Sequence, residues 1–158
     1  MTPPPAPIDL GALMGIALDE ARIAGAAGDV PVGAVVVVDG EVVAQAGNER
    51  ERRGDPTAHA EILALRAAAT AVGDGWRLEH ATVVVTLEPC PMCAGALLAA
   101  RVATVVFGAR DPKAGALGSV VHLGVDPRLP HEYEVVPDVR ADECGALLIT
   151  FFAGRRSR

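Results

Sequence analysis

TVVVTLEPCPMCAGALLAARVATVVF, residues 82–107, is the stretch that decides the fold. Thr82 to Thr86 is β-branched, and the run is short and apolar enough for a buried strand. Pro89 to Ala100 follows as a helix, with Pro91 in its first turn, where a missing N–H costs nothing. Val102 to Phe107 is β-rich again. Strand, helix and strand in that order predict a crossover joining two parallel strands.

Upstream, Leu10, Leu13, Met14, Ala17, Leu18 and Ala21 recur at the spacing of one helix face. Asp9 can cap that helix at its start, and Gly28 suits its far end. Pro31 to Val38 reads as a buried strand and Glu41 to Ala46 as its antiparallel partner, because Asp39-Gly40 is a two-residue hairpin signal. NERERRGDPT, residues 48–57, is polar and turn-rich and reads as a loop. A helix is expected from about Ala58 to Val72, ended by Gly73.

Downstream, residues 109–131 hold several Gly and Pro and read as a long surface loop with room for a short helix. A brief strand is expected at Tyr133 to Val136 and a helix from Asp142 to Phe152, with Cys144, Phe151 and Phe152 as core residues, one of the two Phe being also placed to line a site. The sum is an α/β sandwich with helices flanking a mixed sheet. Residues 1–7 (MTPPPAP) read as a flexible tail and 8–158 as a single domain.

Composition narrows the class. A chain of 158 residues suits one core, and 51% hydrophobic with 22% charged residues excludes intrinsic disorder. No apolar run approaches the ~20 residues of a membrane-spanning helix. The N-terminal residues lack the basic and apolar segments of a signal peptide, so the cytoplasm is the expected compartment. There, three cysteines point to metal or catalytic use rather than disulfides. A net charge of −6, with one Trp, one Tyr and three Phe, counts against a broad nucleic-acid-binding face and keeps a small-molecule substrate in play, although a local basic stripe survives such an average.

Two segments carry the chemistry, PTAHAEILALR at 56–66 and TLEPCPMCAGAL at 86–97. Cys90 and Cys93 lie three apart at a helix start, which turns both sulfurs toward one point and favours thiolate. A lone C-x-x-C also serves redox pairs and four-cysteine sites, but the chain has no second pair. His59, at another helix start, offers a third ligand, and three protein ligands leave zinc one open position, as catalytic sites require. Zinc then lowers the pKa of a water toward neutrality. Glu61, two residues beyond His59, can take that water's proton without becoming a ligand. H-x-E with a later P-C-x-x-C is the recurring zinc-deaminase signature.

The sequence resembles the cytidine-deaminase-like superfamily, and within it the bacterial tRNA-specific adenosine deaminases. The resemblance rests on DVPVGAV at 29–35, Asn48, DPTAHAEILALR at 55–66, WRL at 76–78, TLEPCPMCAGA at 86–96, VVFGARDPKAGALGS at 105–119 and ADECGALL…FF at 141–152. It implies a three-layer α/β/α sandwich and one zinc per subunit held by His59, Cys90 and Cys93. Glu61 would be the proton shuttle, Asn48 a ligand of the flipped base and Asp111 a contact to the nucleotide. It further implies hydrolysis of adenosine to inosine at the wobble position of a tRNA anticodon stem-loop, and a homodimer.

The chain departs from that family at Leu129-Pro130-His131-Glu132-Tyr133 and at His122, in the region that grips RNA. A deaminase of a free nucleobase or nucleoside (guanine, cytosine or cytidine) keeps the same zinc site. A catalytically silent zinc-stabilised module would have no use for Glu61. Other residues have plainer readings as well: Asn48 and Asp111 are good turn formers, and Arg50, Arg52 and Arg53 form a solvated charge cluster offset by Glu49 and Glu51, with contact to a phosphate as the alternative. His80, His122 and His131 read as loop histidines rather than ligands. If RNA is the substrate, contact must come from local cations: Arg110, Lys113, Arg155, Arg156 and Arg158.

Overall fold

Asp9 caps the first helix as expected, its carboxylate accepting the Ala12 N–H at 3.0 Å. The computed structural model describes residue 3 and residues 7–156, so the expected tail over residues 1–7 lies largely outside the described residues. The elements are α1 (Leu10–Ala26), β1 (Gly33–Val38), β2 (Glu41–Gly47), α2 (Arg50–Arg53), α3 (Ala60–Val72), β3 (Thr82–Leu87), α4 (Pro91–Ala99), β4 (Thr104–Ala109), β5 (Glu134–Val136) and α5 (Ala141–Arg156).

The strands form one mixed sheet in the order β2-β1-β3-β4-β5. β1 runs antiparallel to both β2 and β3, while β3, β4 and β5 are mutually parallel. The hairpin turn has positive φ at both Asp39 (51°) and Gly40 (79°), the type I′ geometry that suits strand twist. Alternation along each strand then builds two cores. Ala34, Val36, Val83, Val85, Val105 and Phe107 face α3 and α4. Val35, Val37, Val84 and Val106 face α1, with Cys144 of α5 in the same cluster. Both faces are therefore covered, and the architecture is the three-layer α/β/α sandwich.

Close approach explains two glycines. A Cβ on Gly33 would lie 1.9 Å from the Ala17 carbonyl oxygen of α1. One on Gly108 would lie 2.4 Å from Cys144 Sγ of α5. The inner helices thus sit almost directly on the sheet backbone.

Four sequence expectations need correction. Residues 48–57 are not all loop, because α2 forms where Glu49 pairs with Arg52 and Arg53, the buried Asp29 carboxylate accepts the Glu51 N–H, and Gly54 closes the turn at φ 58°. The strand expected from Val102 starts at Thr104, since the buried Val102 N–H finishes the α4 turn on the Leu97 carbonyl. Residues 110–131 carry no helix. Phe152 is not core but 44% exposed, and it lines the site cavity with Leu148 and Ile149 of the same helix, the alternative left open for one of the two Phe.

Candidate active site

Leu87 of β3 and Ala109 of β4 lie side by side in register, and the Glu88 N–H is bonded to the Ala109 carbonyl at 2.8 Å. Both strands end at this point, and the site opens beyond their carboxyl ends, where parallel sheets usually bind ligands. Cys90 is the N-cap of α4, and Cys93 sits in its first turn. His59 is the N-cap of α3. The two helices pack against the same sheet face with their N-termini together, so the ligand-type atoms of His59, Cys90 and Cys93 all fall within 4.8 Å of one another.

His59 Nδ1 lies 3.7 Å from Cys90 Sγ and 3.5 Å from Cys93 Sγ. Zinc–sulfur and zinc–nitrogen bonds of about 2.3 and 2.0 Å at tetrahedral angles place such atoms about 3.6 Å apart. The donor set therefore fits zinc in size as well as in type. The electrostatics agree. The Cys93 thiol bonded to Cys90 draws Cys90 down to about 4, against burial, and His59 helps. Cys93 is pushed up by that same bond and by burial. His59 is raised, chiefly by its bond to Cys90. One thiolate, one thiol and an imidazole hold a proton that a divalent cation displaces. Glu61, on the first turn of α3, is 4% exposed, and burial pushes its carboxyl up.

A cavity of about 670 Å³ opens onto this group, lined among others by Asn48, Arg50, Glu61, Asp111, Lys113 and Phe152. Its volume suits a nucleotide-sized ligand. Asn48 is buried and its Oδ1 accepts the Ala60 N–H at 2.8 Å, so its amino group is the end left to donate to a ligand. Asp111 also lines the cavity, but its Oδ1 accepts the Lys113 and Ala114 N–H groups at 3.0 and 3.2 Å, the turn-forming role.

The expected cations are only partly there. Arg110 lines the cavity yet is bound to Asp138 through two hydrogen bonds. Arg155 donates to the Gly28 carbonyl and lies over the Phe151 ring. The Arg156 side chain and Arg158 lie outside the described residues. Of the departures, Pro130 and Glu132 are exposed and His122 Nδ1 accepts the Gly124 N–H, while His131 between them donates from Nε2 to the Val102 carbonyl at 2.8 Å. Tyr133 is buried, its hydroxyl donating to the Ala94 carbonyl in α4.

Sequence reasoning missed Glu88. Its carboxylate, 2% exposed, accepts the Asp111, Leu117 and Ser119 N–H groups at 3.1, 3.0 and 3.1 Å and the Ser119 hydroxyl. The loop closes so tightly on it that a Cβ on Gly115 would lie 2.3 Å from its oxygen. Glu88 thereby holds the loop that forms one cavity wall. A carboxylate between a buried strand and Pro-Cys was the available signal, since charge is rarely buried without partners.

Burial raises the Glu88 pKa, but the hydrogen bonds outweigh it and hold the carboxyl below its usual range. Its clamp is therefore whole above the unfolded-state pKa and fades as pH falls through the folded-state value. Glu88→Gln turns an amide toward backbone donors and is expected to cost about 2 kcal/mol at neutral pH. Urea unfolding at neutral and acidic pH checks this, and the gap to the unsubstituted protein is expected to narrow on acidification.

Residues 8–109 match the model of the cytidine and deoxycytidylate deaminase zinc-binding region. The chain belongs to that family and is a zinc-dependent deaminase. Among its relatives, the tRNA-specific adenosine deaminase of Bacillus subtilis (strain 168) is 49% identical over 142 residues, covering 90% of this chain and 88% of that protein. A solved structure from studies of A-to-I editing by tRNA:A34 deaminases superposes with a TM-score of 0.83 at 44% identity, covering 87% of this chain and 99% of the other. Guanine deaminase from Nitrosomonas europaea superposes with a TM-score of 0.78 at 29% identity, over 96% and 88% of the two chains. Among the described residues, no helix is long and apolar enough to cross a membrane.

Proposed function

We propose that this chain deaminates adenosine to inosine at the wobble position of tRNA. The observation that carries this reading is its 49% identity, over 90% of the chain, to a tRNA-specific adenosine deaminase, joined to a zinc-type donor set bordering a nucleotide-sized cavity. His59, Cys90 and Cys93 would hold the zinc, and what zinc supplies there is Lewis acidity that brings the pKa of a water toward neutrality. The base enters from the cavity, and the Asn48 amino group donates a hydrogen bond that orients it. Glu61 accepts a proton of the attacking water as oxygen bonds to C6 and passes it to N1. Glu61 then takes the remaining proton from the new C6 hydroxyl and delivers it to the amino nitrogen, the C6–N bond breaks, and ammonia leaves inosine behind. Water and adenosine in, ammonia and inosine out, balance with no other reactant.

Asp111 would reach the nucleotide through the carboxylate oxygen its own loop does not use. A homodimer is also proposed, with the exposed Val120, Val121 and Val125 of the long loop and Met92 of α4 as apolar surface for a second copy to cover. Three free cysteines agree with work in the reducing cytoplasm.

A zinc-loaded preparation incubated with an anticodon stem-loop bearing adenosine at the wobble position is expected to form inosine. The likeness to guanine deaminase favours a free-base reading instead. Ammonia released from free guanine, with none from the stem-loop, would overturn the tRNA assignment.

A further inference from the structure

We propose that Arg50 binds a phosphate of the substrate, so that the chain takes its base as part of a nucleotide. Arg50 opens α2 between the base-orienting Asn48 and two other arginines. The Glu49 carboxylate satisfies both Arg52 and Arg53, which keeps them off the cavity. Arg50 turns the other way and lines the cavity together with Asn48, His59 and Glu61. Its Nε is buried and has no hydrogen-bond partner among the described residues.

A buried donor without an acceptor is a standing cost that a ligand oxygen relieves. The guanidinium fork suits two oxygens of one phosphate, and that geometry is stronger and more selective than a point charge. Local structure presets the residue. The Arg50 carbonyl accepts the Asp55 N–H at 3.1 Å and the Gly54 N–H as well. Asp29, fully buried, holds the next residue through the Glu51 N–H at 2.9 Å. The backbone beneath Arg50 is thus tied on both sides, and Lys113 adds a second cation to the same cavity. A phosphate attached to the reacting nucleoside has a place here, and a free base makes no use of it.

This inference rests in part on the tRNA reading, and two arms separate the two. The phosphate could be the phosphodiester of an RNA or the monoester of a free nucleotide. In the first arm, Arg50→Gln in the full-length zinc-loaded chain is expected to raise KM for the stem-loop about tenfold with kcat unchanged. The dependence of log KM on log salt should flatten by about 0.7, the loss of one phosphate contact to a single strand. Arg50→Lys should recover part of the KM and most of the salt slope. Zinc content and Tm, measured alongside, should stay at the unsubstituted values.

In the second arm, calorimetry compares AMP with adenosine. Tighter binding of AMP that disappears in Arg50→Gln supports a free-nucleotide phosphate, and a stem-loop effect without an AMP advantage supports the RNA phosphodiester. Unchanged stem-loop kinetics together with equal binding of AMP and adenosine would overturn the proposal. If the unsubstituted protein forms no inosine in the stem-loop, the tRNA reading fails and the AMP arm alone decides Arg50.

Discussion

Glu61→Gln is expected to lower kcat by about 10³-fold while zinc content stays near one per chain, because proton transfer by a positioned carboxylate contributes on this scale. The substitution preserves volume, which matters at a residue 4% exposed on the first turn of α3. An amide there still fills the space but neither accepts the water's proton nor returns it to the amine. The measurement is single-turnover inosine formation with metal content by mass spectrometry on the same samples. A variant with full metal and unchanged rate would remove Glu61 from the mechanism. Loss of metal together with rate would instead place Glu61 in the metal's support.

Cys93→Ala is the second large effect. Cys93 is fully buried between α4 and the sheet, and its sulfur is 3.5 Å from His59 Nδ1. Removing that sulfur leaves two donors, and bound zinc is expected to fall from about one per chain to near zero. Activity should fall by at least about 100-fold, since loss of even the outer-shell partners of a metal site costs 10–100-fold. Chelation of the unsubstituted protein should reproduce the loss, and added zinc should reverse it there but not in the variant. A small core residue truncated to Ala leaves little void, so Tm without metal should differ by only a few degrees. That comparison separates lost metal from lost fold.

The site was legible because its chemistry is local. His59 and Glu61 are two residues apart on one helix start, and Cys90 and Cys93 three apart on another. Helix periodicity turns Cys90 and Cys93 toward one point, while His59 is the extended N-cap of α3 and Glu61 stands in its first turn, a pairing set by the helix start and not by its period. Glu88 and Arg50 were not legible in the same way. Glu88 closes on partners 23 to 31 residues away, and nothing at position 88 announces them. Arg50 shares a charge run with Arg52 and Arg53, and only the side on which Glu49 stands separates them. The loop expected over 48–57 hid the short helix α2 that makes this separation.

His122 shows the same limit in reverse. Read in sequence it alters the face expected to meet RNA, but in the fold its ring accepts the Gly124 backbone N–H. Net charge misled for a related reason. A balance of −6 averages over the whole surface, whereas the cavity collects Arg50, Arg110 and Lys113 beside its carboxylates.

Short apolar runs rich in β-branched residues, with the Asp39-Gly40 turn, by themselves determined the strands, the hairpin and the parallel crossover, because β-propensity and turn chemistry act over a few residues. Motif spacing likewise marked His59, Glu61, Cys90 and Cys93 as the candidate set for zinc-deaminase chemistry. Only the tertiary structure decided that β1 lies between β2 and β3, bringing the starts of α3 and α4 together. It alone decided that Glu88 anchors the loop beyond β4 and that one arginine of three enters the cavity. The physical reason is distance along the chain: these arrangements join residues far apart in sequence, where packing and the satisfaction of buried charge select the partners.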